Sequence, residues 1–222
     1  MSRLVVATRN RGKQEEFRDL LASFPLDVVF PDDVGLIESP EEKDLESFDT
    51  FEANARAKAR WFASASRLPA LADDSGLEVD ALGGAPGVHS RRFAGGGGPD
   101  HVVTASNNHA LLTRLAGVAD AVRSARYRCA LVLAEPRAVG GFIETSVSGA
   151  VEGRIVRTPR GHGGFGYDPL FYSDELGVTF GEADAHAKHR VSHRGRAVLA
   201  LLEAVRTGAR HSPELIRSFG GV

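Results

Sequence analysis

Ala72-Asp73-Asp74-Ser75-Gly76-Leu77 is the stretch on which the fold is read. Two adjacent carboxylates follow the short apolar run Leu68 to Leu71, and Ser75-Gly76 follows them. The pattern predicts a strand that carries the acids to its end and a turn that leaves them exposed. Acids at the C-terminal edge of a strand in an α/β protein stand where ligands bind. Successive side chains on extended backbone point to opposite faces, so one acid would face a cleft while the other supports the turn. Such a pair suits Mg²⁺, which takes oxygen ligands and is held by one or two carboxylates together with substrate phosphates. The competing reading is an Asx-type turn that merely closes a strand.

Outward from this stretch, Arg3 to Thr8 reads as a buried strand. Phe17, Leu20, Leu21 and Phe24 repeat at i, i+3, i+4, i+7, the stripe of an amphipathic helix. Leu26 to Phe30 is a second strand, and the acidic, Pro-containing residues 31–48 read as a loop. Asp49 and Glu52 have capping-box spacing and predict a helix through Ser66. Leu68 to Asp73 and Leu77 to Val79 are read as strands on either side of the acidic turn. Ala81 to Pro99 is a Gly-rich loop, and a helix follows from Pro99 to Leu115. Arg126 to Ala134 and Phe142 to Val156 are long strands, expected to be antiparallel neighbours. A Gly-rich loop runs from Arg157 to Asp168, then a short strand from Leu170 to Tyr172. Val198, Leu201, Leu202 and Val205 stripe the last helix, with Ser192 as its cap. The order opens as βαβ and later shows strand pairs. It predicts an α/β fold with a mixed sheet and helices on its faces.

The 222 residues suit one domain or two closely joined lobes, with enough chain to bury a core. The apolar fraction of 42% is that of a globular protein. A formal net charge of -2 argues against binding nucleic acid through bulk charge. The single cysteine, Cys129, excludes an internal disulfide, and its apolar surroundings read as a buried structural thiol. The leading run Leu4 to Ala7 is too short for a signal peptide or a membrane span. A soluble cytoplasmic protein with no membrane partner is expected.

Several motifs carry chemistry. Thr8-Arg9-Asn10-Arg11-Gly12-Lys13 joins the first strand to the first helix, where helix N–H groups and basic side chains favour phosphate. It is not a Walker A loop, because Gln14 follows Lys13 and Ala7 stands where that motif has its first Gly. A plain turn with solvated basic residues is the alternative. Gly161-His-Gly-Gly-Phe165-Gly166 matches G-x-G-x-x-G formally but runs into Tyr167-Asp168-Pro169 rather than a helix. It reads better as a loop presenting Phe165 for stacking on a base, or as a cap over a core. Lys188, Ser192, His193 and Arg194 supply donors for phosphate or for a base carbonyl. His186, His189 and His193 have the spacing of a zinc site but lack a fourth ligand. Asn54 and Lys58 share a helical face, ordinarily a solvated one.

In order along the chain, these blocks resemble the nucleoside-triphosphate pyrophosphatases that hydrolyse inosine and xanthosine triphosphates, the Ham1-like ITP/XTP pyrophosphatases. The matches are Thr8 to Lys13, Asn54 to Ala59, Ala72 to Leu77, Gly83 to Val88, Gly163 to Pro169 and Ser192 to Gly195. The resemblance implies that residues 1–222 form one pyrophosphatase domain. It implies a two-lobed fold around a long mixed sheet, a homodimer, and Mg²⁺-dependent release of pyrophosphate. Asp74 would be general base and metal carboxylate. Thr8, Arg9, Asn10, Arg11, Gly12, Lys13 and Ser75 would hold the triphosphate. Phe165 would stack on the purine, with Gly166, Tyr167 and Asp168 shaping its pocket. Lys188 would touch substrate, and His193 and Arg194 would read the base. A second metal carboxylate falls best on Glu46, with Glu41 and Glu42 as alternatives. Arg9 replaces a frequent Gly, Ala53 a frequent acid, and His89 a common Tyr. Two other functions fit the same residues: a Maf-type pyrophosphatase of ordinary or modified nucleotides, and a nucleotide-binding regulator without catalysis.

Overall fold

Strand β1 (Ser2–Val6) alternates its side chains between two cores, and the rest of the fold is built on that alternation. The computed structural model describes residues 2–208 and 211–220. After β1 come α1 (Arg11–Leu21), β2 (Leu26–Val29), α2 (Phe51–Ser66), β3 (Ala70–Val79) and α3 (Asp100–Arg114). Then follow β4 (Ser124–Pro136), β5 (Phe142–Ile155), β6 (Phe171–Ser173) and β7 (Val178–Thr179). Helices α4 (Ala185–Val191), α5 (His193–Gly208) and α6 (Pro213–Gly220) end the order. The strands form one sheet in the order β2-β1-β3-β4-β5-β6-β7. Strand β1 is parallel to both β2 and β3, whereas β6 is antiparallel to β5 and β7. The sheet is therefore mixed, as the sequence predicts.

The chain divides into two compact units. The first comprises residues 1–74, 129–149 and 195–222; the second comprises 75–128 and 150–194. In the first, Leu4, Val6 and Leu71 face a core with Phe17 and Leu21 of α1 and Val198, Leu201 and Val205 of α5. Cys129 is buried in the same core, as expected of a structural thiol. Val5, Ala7, Ala70 and Ala72 face the opposite core, filled by Ala55, Ala59, Phe62 and Ala63 of α2. Helices thus cover both faces. The second unit packs Leu77, Val79, Leu111, Tyr127, Phe171 and Phe180 together.

The structure corrects several local expectations. No turn separates the acids from Leu77: β3 runs unbroken from Ala70 to Val79, with Asp73 and Asp74 in mid-strand and buried. The register with β1 reaches only Val6↔Leu71, so beyond Leu71 that edge of β3 is taken over by other groups. In the second unit, for instance, Ser90 Oγ accepts the Leu77 N–H at 2.9 Å. Residues 31–48 are not plain loop but contain 3₁₀ helices at Pro31–Val34 and Pro40–Glu46. Helix α2 is capped by Thr50, whose side chain accepts from the Ala53 N–H, rather than by an Asp49–Glu52 box. Glu52 instead pairs with Arg56 and accepts from Ser146. Ser192 does stand immediately before α5, where the sequence places it, and its backbone N–H also closes α4 on the Lys188 carbonyl. The short elements β7 and α4 have too few residues to show a hydrophobic period, whereas α6, also absent from the sequence reading, packs Leu215, Ile216 and Phe219 on the first core.

Phe17 anchors α1 with no solvent exposure. Phe17→Ala should destabilise the protein by about 3–5 kcal/mol through lost burial and the cavity left behind. The midpoint of urea unfolding measures this.

Candidate active site

Period-two geometry on β3 assigns the two acids to different helices. Asp73 has the parity of Leu71 and reaches α1, where Lys13 Nζ lies 3.0 Å from Oδ1 and 2.9 Å from Oδ2. Asp74 has the parity of Ala72 and reaches α2, where Asn54 Nδ2 donates to Oδ2 at 2.8 Å. Lys58, one turn along α2, places its ammonium 3.9 Å from Asp74 Oδ1 and 2.7 Å from Glu46 Oε1. Asn54 and Lys58 are thus buried, not on a solvated face. Burial opposes the charge on Lys58, yet Glu46, then Asp74 and Asp73, outweigh it and raise its pKa. Lys58 in turn lowers the pKa of Glu46. Asp74 differs: burial raises its pKa above the ordinary 3.8, and Glu46 adds to that, despite Lys58, Lys13 and Asn54.

The loop before α1 is built as an N-terminal cap. Asn10 Oδ1 accepts the Lys13 N–H at 3.0 Å, and the Asn10 N–H reaches Thr8 Oγ1 at 3.3 Å. The first helical bond runs from the Gln14 N–H to the Asn10 carbonyl, so the Arg11 and Gly12 N–H groups stand off the helix end. Arg9, expected at the phosphates, is turned toward residues 32–42 in this structure. Its guanidinium donates to both oxygens of Glu42, to Asp32 and to the Leu36 carbonyl. The same contacts commit Glu42 to Arg9. Glu41 is exposed, and Glu46 alone of the three approaches Lys58.

In the second unit Asp168 is the organising group. Its Oδ2 accepts from Lys188 Nζ at 2.7 Å and from the Phe165 N–H at 2.8 Å, and its Oδ1 accepts from Tyr127 Oη at 3.2 Å. A side chain at Gly164, where φ is +71°, would put its Cβ 2.0 Å from Asp168 Oδ2. Only glycine lets the loop close on that carboxylate. The Lys188 ammonium lies 5.0 Å from the Phe165 ring centroid, and the Arg194 guanidinium 6.0 Å from it. Arg194 is buried and donates to Ser75 Oγ at 3.0 Å. The ring of Tyr127 stacks on His193 at 4.8 Å and 10°. Burial, and then the Asp168 charge, push the Tyr127 hydroxyl well above its ordinary pKa of 10, so it stays a donor. Tyr167 Oη donates to the Ser90 carbonyl, and Asn108 holds the Gly166 carbonyl.

Sequence reasoning singled out Asn54 and Lys58 but read them as solvated, and it missed Tyr127. The first two stood in view as an i, i+4 pair, but their burial follows only from α2 packing on β3. Tyr127 lies in an apolar strand and looks like any core aromatic. Among the described residues no group of three or more His, Cys, Asp and Glu is placed to hold a metal. Nor, among them, is any helix long and apolar enough to cross a membrane.

The Ham1 family model matches residues 4–204. The chain belongs to the Ham1 family. It is 50% identical over 198 residues to a dITP/XTP pyrophosphatase of Syntrophobacter fumaroxidans, covering 89% of this chain and 79% of that one. It is 43% identical to the dITP/XTP pyrophosphatase of Escherichia coli, covering 94% of this chain and 100% of the other. Among solved structures, a HAM1 protein from Coxiella burnetii superposes with a TM-score of 0.77 at 37% identity. That match covers 94% of this chain and 100% of that one. A dITP/XTP pyrophosphatase from Mycobacterium abscessus gives 0.66 at 39% identity, covering 91% of this chain and 99% of the other.

The raised pKa of Asp74 has a consequence for stability. The folded state holds the Asp74 proton more tightly than the unfolded chain does. Ionised Asp74 therefore costs stability above its folded pKa, and that cost disappears below about the unfolded value near 3.9. In metal-free buffer Asp74→Asn should melt at or above the wild-type temperature at pH 7, and the difference should shrink on acidification toward pH 4. A lower melting temperature for the variant at pH 7 would contradict this.

Proposed function

We propose that this protein hydrolyses deaminated purine nucleoside triphosphates, ITP, dITP and XTP, to the monophosphate and pyrophosphate, so removing them from the nucleotide pool. The observation that carries the reading is Asp74: a buried carboxylate with a raised pKa, held by Asn54 and beside the Lys58–Glu46 pair. A base works best with a pKa moved toward the operating pH. Residues 1–222 would act as a single catalytic domain, as a homodimer in the cytoplasm.

The residues fit Mg²⁺. Glu46 and Asp74 both approach one cation already, the Lys58 ammonium, and carboxylate oxygens are the donors a hard divalent ion takes. Glu46 and Asp74 would hold the ion, which would supply charge neutralisation for the triphosphate. The chain's own groups do the rest. Asp74 accepts the proton of the attacking water. Lys13 and the N–H groups at the head of α1 receive the phosphates, with the Arg11 side chain beside them. Ser75 Oγ accepts from Arg194, which holds the hydroxyl in place, and the serine would meet a phosphate oxygen.

Base choice falls to the second unit. Phe165 offers a ring face, with Gly166 and Tyr167 fixed behind it and Asp168 holding Lys188. Inosine and xanthosine carry an oxygen at C6, where adenine carries an amino donor. Arg194 can only donate, so adenine would leave a buried donor unmatched, and His193, stacked on Tyr127, is held to read the same edge.

A pyrophosphate-release assay over a nucleotide panel, with and without Mg²⁺, tests the reading. ITP, dITP and XTP should turn over well and ATP poorly, with pyrophosphate as the primary product. Equal use of ordinary nucleotides would favour a Maf-type activity, and binding without release would favour a regulator. Arg194→Ala should narrow the ITP-to-ATP ratio of kcat/KM by roughly tenfold to a hundredfold, the worth of a base-edge contact. A ratio cancels any loss of folded enzyme. If Arg194 served the triphosphate instead, through Ser75, both substrates would weaken alike and the ratio would hold.

A further inference from the structure

Arg9 makes four hydrogen bonds, and every acceptor lies in residues 32–42. Nε and one Nη form a two-pronged fork on Glu42, each at 2.8 Å. The other Nη is 2.6 Å from Asp32, and the Leu36 carbonyl accepts at 2.9 Å. The pair with Glu42 is well shielded, with side-chain exposures of 21% and 12%. Two-pronged guanidinium–carboxylate contacts fix orientation as well as distance. Asp32 and Glu42 together outweigh burial and raise the Arg9 pKa further.

The position of these acceptors gives Arg9 its reach. Glu42 sits in the 3₁₀ helix Pro40–Glu46 and closes that helix's start by accepting the Ser39 N–H. Glu46 is the last residue of the same helix and holds Lys58 at 2.7 Å. A 3₁₀ helix has poorer internal hydrogen bonds than an α-helix, so its outer contacts weigh more in setting its orientation. Val34, Leu36 and Leu45 pack the segment against the core independently of Arg9. Removing the guanidinium therefore releases the helix's orientation without unfolding the segment.

We infer that Arg9 is a positioning residue for the metal carboxylate Glu46: it locks the Pro40–Glu46 helix to the loop before α1 and thereby sets the affinity for Mg²⁺. This rests on the proposed role of Glu46 and Asp74 in holding Mg²⁺. Partners that orient a metal's carboxylates typically carry tenfold to a hundredfold in metal affinity.

The test uses the whole protein as Arg9→Ala, Arg9→Lys, Glu42→Gln and the double variant Arg9→Ala/Glu42→Gln. Arg3→Ala, which breaks the exposed pair with Asp27, is the control for loss of an arginine. Two quantities are read: the Mg²⁺ concentration for half-maximal ITP hydrolysis, and the Mn²⁺ dissociation constant by electron paramagnetic resonance, without nucleotide. Arg9→Ala and Glu42→Gln should each raise both by roughly tenfold to a hundredfold. The double variant should be no worse than either single one, because the pair acts as a unit. Arg9→Lys should fall between wild type and Arg9→Ala, while Arg3→Ala and the ITP-to-ATP ratio should not move. A lower melting temperature with unchanged metal constants would overturn the inference and leave Arg9 a stability contact. A raised KM for ITP at saturating Mg²⁺, with unchanged Mn²⁺ binding, would overturn it in favour of a phosphate ligand. If wild type neither binds Mn²⁺ nor needs a metal, the metal reading itself fails and takes this inference with it.

Discussion

Two neighbouring carboxylates buried in the middle of a strand are the constraint to which the first unit answers. An ionised carboxylate taken out of water is costly unless a cation or several donors meet it. Asp73 and Asp74 point to opposite faces, so one partner cannot serve both. Each face therefore needs its own helix carrying a cation at the right height. Lys13 near the start of α1 meets Asp73, and Lys58 with Asn54 on α2 meets Asp74. The parity that separates Leu71 and Ala72 into different cores also separates the two acids. Burial on one side and charge on the other are set by the same two-residue period.

This also fixes where the chemistry can stand. The registered pairing of β1 with β3 stops at Leu71, and β1 hands over to the loop that leads into α1. The acids follow directly, past the carboxyl end of β1, where that loop brings Lys13 to them. The position obeys the general rule for ligands at the carboxyl ends of parallel strands. Where the acids differ is in their net environment. Asp73 holds a close ion pair with Lys13, whereas the Lys58 ammonium stands 3.9 Å from Asp74, and there burial prevails and the pKa rises.

Much of this was legible in the sequence. The βαβ opening, the long strand pair, the stripe of α1 and the buried state of Cys129 follow from periodicity and composition, because each element there is long enough to repeat its pattern. The acidic hexapeptide was found for the right residues but with the wrong local structure. Ser-Gly after Asp-Asp is turn chemistry locally, and only the partners of β3 hold it extended. The same limit hid Asn54 and Lys58. An i, i+4 polar pair on a helix looks solvated until the opposing strand is known to carry a buried acid. Arg9 shows the converse: its charge and place suggested phosphate, but the acidic segment 32–42 reaches it first.

The division of labour between lysines and arginines follows from their chemistry. Lys13, Lys58 and Lys188 each hold carboxylates: buried Asp73, half-buried Glu46 with buried Asp74, and buried Asp168. An ammonium on a flexible stem is a point charge that can exchange one oxygen for another with little geometric penalty. In the proposed reaction that property is what an incoming triphosphate requires, since phosphate oxygens compete for the same cations. Arginines are used where geometry must not change. Arg9 forks onto Glu42, Arg123 binds three backbone carbonyls, and Arg194 is buried against Ser75. A planar guanidinium loses several aligned bonds if it shifts. The exchangeable charges thus sit on lysines, and these three arginines each hold a fixed neighbour. Replacing one type by the other at these positions would conserve charge while removing the property on which each position depends.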